Sequence, residues 1–137
     1  DVDPGQFGYI GFSWGAITGI TYAAHDERIK AMASLVGGGN LVGILGVPPA
    51  PGEGKKGPPS LDPAHNVAAF APRPLRFVNA RQDTIIFPPF AEALHKAAGA
   101  GSSVEWHDTD HYFHGMDLDK ILGGVSDFMK SKLEGTK

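Results

Sequence analysis

Residues 11–15 read Gly-Phe-Ser-Trp-Gly, after a short run of strand-forming residues and at the head of a run with helical periodicity. A serine hydroxyl is a weak nucleophile at neutral pH. It becomes effective when an imidazole takes its proton and a carboxylate holds that imidazole in one tautomer. A sharp strand-to-helix turn suits such a serine. It lifts Ser13 clear of the strand, calls for small residues at Gly11 and Gly15 so that strand and helix can pass closely, and aims the Trp14 amide and the positive end of the helix at a reacting carbonyl. The partners lie downstream: Asp83 in Arg-Gln-Asp-Thr, then His107, Asp108, Asp110, His111 and His114 within residues 107–114. That last cluster also carries donors of metal-binding type, but its spacing fits no common metal motif, and no metal is expected.

These residues need elements to position them. Gln6 to Ser13 reads as a short buried strand bounded by glycines, and Trp14 to His25 as a helix with Ile17, Ile20 and Ala24 on one face. Arg28 to Asn40 is a second strand halted by three glycines. Residues 41–63 are rich in proline and glycine and read as an irregular surface loop or the remnant of a cap. His65 to Pro72 suggests a short helix, and Pro74 to Asp83 a third strand. Pro88 and Pro89 can open a helix that Gly99 ends, because the first turn needs no amide hydrogen from them. Ser102 to Asp108 is a fourth strand, and residues 117–133 form a helix with Leu118, Ile121, Leu122, Val125, Phe128 and Met129 on one face.

This alternation predicts an α/β fold: one domain over residues 1–137, with a mostly parallel sheet of about four strands flanked by helices. In such sheets ligands gather at the carboxyl ends of the strands. Ser13, Asp83 and His111 each fall just past a predicted strand, so the topology sends all three to one edge. Phe12, Trp14 and Phe113 sit close enough in sequence to line an acyl or alcohol pocket there.

Composition narrows the chemistry. The 137 residues hold no cysteine, which removes thiolate nucleophiles, cysteine metal ligands and disulfides together. A net charge of -3 gives no electrostatic pull toward nucleic acid or anionic lipid. No apolar run approaches the roughly 20 residues of a membrane span. A soluble, cytoplasmic protein with no nucleic-acid or membrane partner is the expectation.

The ordered segments "YIGFSWG", "APRPLRFVNARQDTIIFP" and "VEWHDTDHYFHG" resemble the C-terminal part of the α/β-hydrolase family, nearest its serine esterase, dienelactone-hydrolase-like and acyl-peptidase-like branches. The resemblance implies that Ser13 is the nucleophile, Asp83 the acid of the triad and His111 the base, chosen over His114 by the family's strand, short turn, histidine pattern. Beside it, the turn itself predicts an oxyanion donor at the Trp14 amide and substrate contacts from Phe12 and Phe113, and a serine hydrolase of this kind needs no metal or organic cofactor. Dienelactone hydrolases proper use cysteine as nucleophile, so the serine esterase side is favoured: a carboxylesterase-like enzyme acting on a small-molecule ester with a short acyl group. A peptidase-type hydrolase, or a catalytically incompetent fragment serving as a binding module, are the alternatives. The resemblance covers nearly all of this chain but only about the latter half of the family's domain, which implies a truncated α/β-hydrolase fold, a missing second oxyanion donor, and an open first-strand edge. That edge predicts a homodimer, or burial against a partner segment.

Overall fold

The computed structural model describes residues 3–46 and 61–134. Four strands, β1 (Phe7–Phe12), β2 (Ile29–Leu35), β3 (Leu75–Ala80) and β4 (Ser102–His107), form one sheet in the order β1-β2-β3-β4, all neighbours parallel. The helices are α1 (Trp14–His25), α2 (Leu41–Leu45), α3 (Pro63–Asn66), α4 (Pro88–Ala98) and α5 (Leu118–Glu134), with a 3₁₀ turn at Val67–Phe70. The α/β class and its parallel sheet are therefore observed.

Strand residues alternate between two apolar layers, as the period of two requires. On one side Met32, Leu75 and Phe77 pack with Ile20 and Ala23 of α1, Phe70 and Leu94. On the other, Ala31, Ala33, Val78 and Ala80 pack with Ile121, Val125 and Met129 of α5. Arg73 fastens the first layer at its base: its guanidinium donates to the carbonyls of Ala24, Asp26, Ile29 and Phe70, tying the end of α1 and the start of β2 to the 3₁₀ turn.

The stretch 41–63 is not wholly irregular. Asn40 caps α2 by accepting from the Gly43 amide, and Pro63 opens α3 behind Asp62, whose carboxylate accepts the amides of Asn40, Leu41 and Ala64. One aspartate thus joins both flanks of the proline-rich segment, whose residues 47–60 lie outside those described. On α5, the burial of Ile121, Val125 and Met129 is complete, but Leu118 and Leu122 remain about half exposed. Helical geometry places those two on the flank shared with Met129 and Leu133, which lie against Gly8 of β1, whereas Gly124 and Phe128 on the opposite flank meet Arg76 of β3. Leu118 and Leu122 are exposed because, among the described residues, the sheet ends at β1 on that flank.

Two positions expose the physics of the frame. Gly11 runs so close to α1 that an added Cβ would stand 2.6 Å from the Gly15 carbonyl oxygen and 2.7 Å from the Ala16 backbone, whereas a Cβ at Gly15 would meet nothing within 4 Å. The close passage therefore rests on Gly11, and the expectation that Gly15 shares it is corrected. Gly11→Ala is expected to destabilise by about 1–3 kcal/mol through forced backbone displacement, while Gly15→Ala should be neutral or stabilising by up to about 1 kcal/mol through its helix propensity. Urea unfolding of the two variants reads the difference directly, and equal destabilisation would refute this account of the turn.

His95 of α4 is wedged against Phe77 and Trp106, and its Nε2 accepts from the Asn79 amide at 2.8 Å. Burial lowers its pKa from 6.5 to about 4. The unfolded chain thus takes up this proton below pH 6.5 while the folded protein refuses it until about pH 4. Its contribution to stability therefore rises with pH across that window, and the penalty is complete below it. His95→Gln should show a smaller loss of urea midpoint between pH 7 and 4.5 than the parent protein; an unchanged loss would mean that the folded state accommodates the charged ring.

Candidate active site

Ser13 occupies the junction of β1 and α1 with φ 53° and ψ -117°, a left-handed conformation rare for any residue but glycine. Three contacts hold it there. Its amide donates to the Leu35 carbonyl at 2.9 Å, and its own carbonyl accepts from the Ala16 and Ile17 amides at 3.0 Å. The turn leaves the hydroxyl free of the helix, and the amides of Trp14 and Gly15, in the first turn, have no acceptor inside α1.

The structure brings Ser13, His111 and Asp83 together. The Ser13 Oγ lies 2.8 Å from His111 Nε2, and His111 Nδ1 lies 2.7 Å from Asp83 Oδ2. One tautomer satisfies both: Nδ1–H donates to the carboxylate and Nε2 accepts from the hydroxyl. Asp83 and His111 are both buried, and Asp83 Oδ1 accepts the amides of Ile85 and Ile86 at 2.8 Å each. A buried carboxylate persists only when its acceptors are filled, and here the turn after β3 fills one oxygen while the imidazole fills the other.

The turn carrying His111 is clamped from within. Asp110 Oδ1 accepts the amides of Tyr112 and His114, Asp110 Oδ2 meets His114 Nδ1 at 2.7 Å, and the Thr109 hydroxyl donates to the His114 carbonyl. The His114 side chain, and after it the His114 amide, hold the Asp110 carboxyl below its ordinary range. His114, the rival base, therefore sits exposed on Asp110 rather than on Ser13. Asp108 pairs with Arg81, and His107 lies by Glu105. Among the described residues no three metal-ligating side chains converge.

Of the remaining predicted residues, Trp14 is where an amide can face the Ser13 hydroxyl, and its side chain is half exposed. Phe12 lies with its ring 5.5 Å from that of His111 and is open to solvent. Phe113 does not line an open surface: its backbone turns to φ 58° and drives the ring into the α5-side core, 3% exposed, against Phe12 and His107. The expectation of a substrate contact from Phe113 is corrected to a supporting one beneath the site. In the Gly37–Asn40 segment, which follows β2, two amides are engaged: Gly39 donates to the Phe90 carbonyl and Asn40 to Asp62. Sequence reasoning missed Ile85 and Ile86; their amides brace Asp83, and backbone donors leave no signature in residue type.

No family model matches the chain, and no curated protein matches it in sequence. Solved structures do match in fold. The esterase domain of a Rhodothermus marinus protein aligns with 88% of this chain and 57% of its own at a TM-score of 0.69 and 20% identity. The α/β hydrolase GrgF from Penicillium aligns over 97% of this chain and 66% of its own, at 0.76 and 14% identity. Porphyromonas gingivalis dipeptidyl peptidase 4 aligns over 96% of this chain and 20% of its own, at 0.79 and 15% identity. The chain spans less than two thirds of each. A parallel sheet that carries a strained serine at its first strand tip, and that superposes on esterase and peptidase domains alike, has the α/β-hydrolase fold over part of that fold's length.

Proposed function

We propose that this chain is a serine hydrolase of carboxylesterase type, cleaving small carboxylic esters through an acyl-enzyme. The observation that carries the reading is the unbroken hydrogen-bonded line from Ser13 Oγ through His111 to Asp83 at 2.8 and 2.7 Å. In the first half-reaction the hydroxyl attacks the ester carbonyl as its proton passes to His111 Nε2. The resulting oxyanion is met by the Trp14 amide and the helix terminus, and the tetrahedral adduct expels the alcohol oxygen, which takes the proton back from Nε2. In the second, water attacks the acyl-serine, His111 accepts its proton, and collapse releases the carboxylic acid and restores the hydroxyl. Asp83 keeps Nδ1 protonated and stabilises the imidazolium formed in both halves.

The solved relatives include esterases and peptidases, and the low identity to each supports the ester reading no more than the amide one. The nucleophile test is independent of that choice. Intact-mass measurement after exposure to a fluorophosphonate is expected to show one adduct on the parent chain and none on Ser13→Ala, with p-nitrophenyl acetate turnover lost in parallel. Asp83→Asn should lower kcat by about 10⁴-fold while leaving the fold intact. Absence of both adduct and turnover in the parent chain would replace the enzyme with a binding module that keeps the fold.

The same reading includes self-association through β1. Its outer edge is unpaired by any described strand, and Ile10 and Phe12 beside it are exposed with Leu118 and Leu122. No charged residue guards the edge from Phe7 to Phe12. Ile10→Lys is expected to shift the protein from dimer to monomer in sedimentation; a parent chain that is monomeric at micromolar concentration would remove this part of the proposal.

A further inference from the structure

Five large apolar side chains lie on the turns that carry the bonded trio and are between 43% and 57% exposed: Phe12, Trp14, Ile85, Phe87 and Tyr112. Four of them are fastened close to the reacting group. Trp14 follows Ser13 directly, the Phe12 and Tyr112 rings stand 5.5 and 5.2 Å from that of His111, and the Ile85 amide is bound by Asp83. Phe87 caps the start of α4, with its ring 6.3 Å from Phe90. Exposed apolar side chains scattered over a surface need no explanation, but five gathered on the turns that hold one polar centre mark a surface that binds something apolar.

The charge pattern narrows it further. No lysine, arginine, aspartate or glutamate occurs from Pro4 to Ala24 or from Thr84 to Ala91, the segments that supply four of the five. Beside the fifth, Asp110 holds His114 and two backbone amides, and Arg81 pairs with Asp108. A carboxylate or phosphate on the substrate would lose water against this rim and find no lysine or arginine on the described segments that supply it, and the net charge of -3 adds to the repulsion.

We infer that the substrate of this site is an uncharged ester carrying a flat or bulky apolar group, bound through that group on the rim formed by Trp14, Tyr112, Ile85 and Phe87. The inference deepens the serine hydrolase reading and rests on it. The rim gives neutral binding energy to the group next to the scissile bond and excludes anionic analogues by desolvation; an aliphatic ester too small to cover the rim forgoes most of the contact.

Three acetate esters test it, each kcat/KM normalised to that ester's own hydroxide-catalysed rate: phenyl acetate, 3-carboxyphenyl acetate and methyl acetate. Phenyl acetate is expected to exceed both others by about 10–10²-fold, the scale on which an apolar pocket discriminates. Ile85→Lys should raise the carboxyphenyl ester relative to the phenyl ester by about tenfold, largely in KM, because it adds a cation to the rim while keeping the backbone amide that Asp83 accepts. Equal normalised values across the parent series, with fluorophosphonate labelling intact, would overturn the inference and leave the hydrolase reading standing. Loss of labelling and of all turnover in the parent chain would instead overturn that reading and this inference with it. The parent series decides the question even where Ile85→Lys fails to fold.

Discussion

A single peptide unit at the carboxyl edge of the sheet fixes where everything else must go. The carbonyl of Leu35 accepts from the Ser13 amide, and the adjoining amide of Val36 donates to the Val78 carbonyl at 2.8 Å. The tips of β1 and β3 are thereby registered through β2, and Asp83, five residues beyond Val78, inherits that register. Directly after this unit the backbone of Val36 turns left-handed, with φ 45°, and leads the chain away beneath α4. A β-branched residue resists that conformation, and it persists here because the side chain is buried between the sheet and Phe113. Ser13, Val36 and Phe113 thus all have positive φ at the same edge, where the strands have stopped pairing and the backbone must clear a space.

The trio built on that edge draws its precision from backbone rather than from side-chain packing alone. Asp83 is aimed by two amides of its own turn, Ser13 by the Leu35 carbonyl and by the first turn of α1, and His111 by the Asp110 and Thr109 clamps that shape residues 109–114. Each side chain is held by a loop of few residues, so a displacement of one strand tip moves a whole polar group rather than one atom. Short, internally hydrogen-bonded loops at the strand ends hold both contacts, Ser13 to His111 and His111 to Asp83, at hydrogen-bond distance.

Much of this was legible in the residues. The switch of period at Ser13, the strand-ending glycines and the proline-opened α4 located the elements, and the rule that parallel strands end at one edge brought Ser13, Asp83 and His111 to it. What escaped was whatever depends on direction rather than periodicity. Gly11 and Gly15 look alike in sequence, yet only Gly11 faces the helix backbone. Phe113 looks like a pocket residue until its positive φ turns it inward. Leu118 and Leu122 share the spacing of the buried α5 residues, and they stay exposed on the flank where the described strands end at β1. Asp62 reads as a loop residue, although its three amide contacts close the base of the proline-rich segment.

Covalent capture and turnover place different demands on this edge. In the proposed reaction, capture of a strongly electrophilic phosphonate needs the Ser13 hydroxyl activated by His111, and the contacts proposed for that lie wholly within the described residues. Turnover of an ester also needs donors where charge develops on the carbonyl oxygen, and removal of one such donor typically costs about 10²–10³ in kcat. The Trp14 and Gly15 amides have no acceptor inside α1, while the Gly39 and Asn40 amides are held by Phe90 and Asp62. The ratio of labelling rate to ester turnover therefore measures the oxyanion environment separately from the nucleophile. A high ratio in the isolated chain that falls on association, with the labelling rate unchanged, would locate the second donor in the partner that covers the β1 edge.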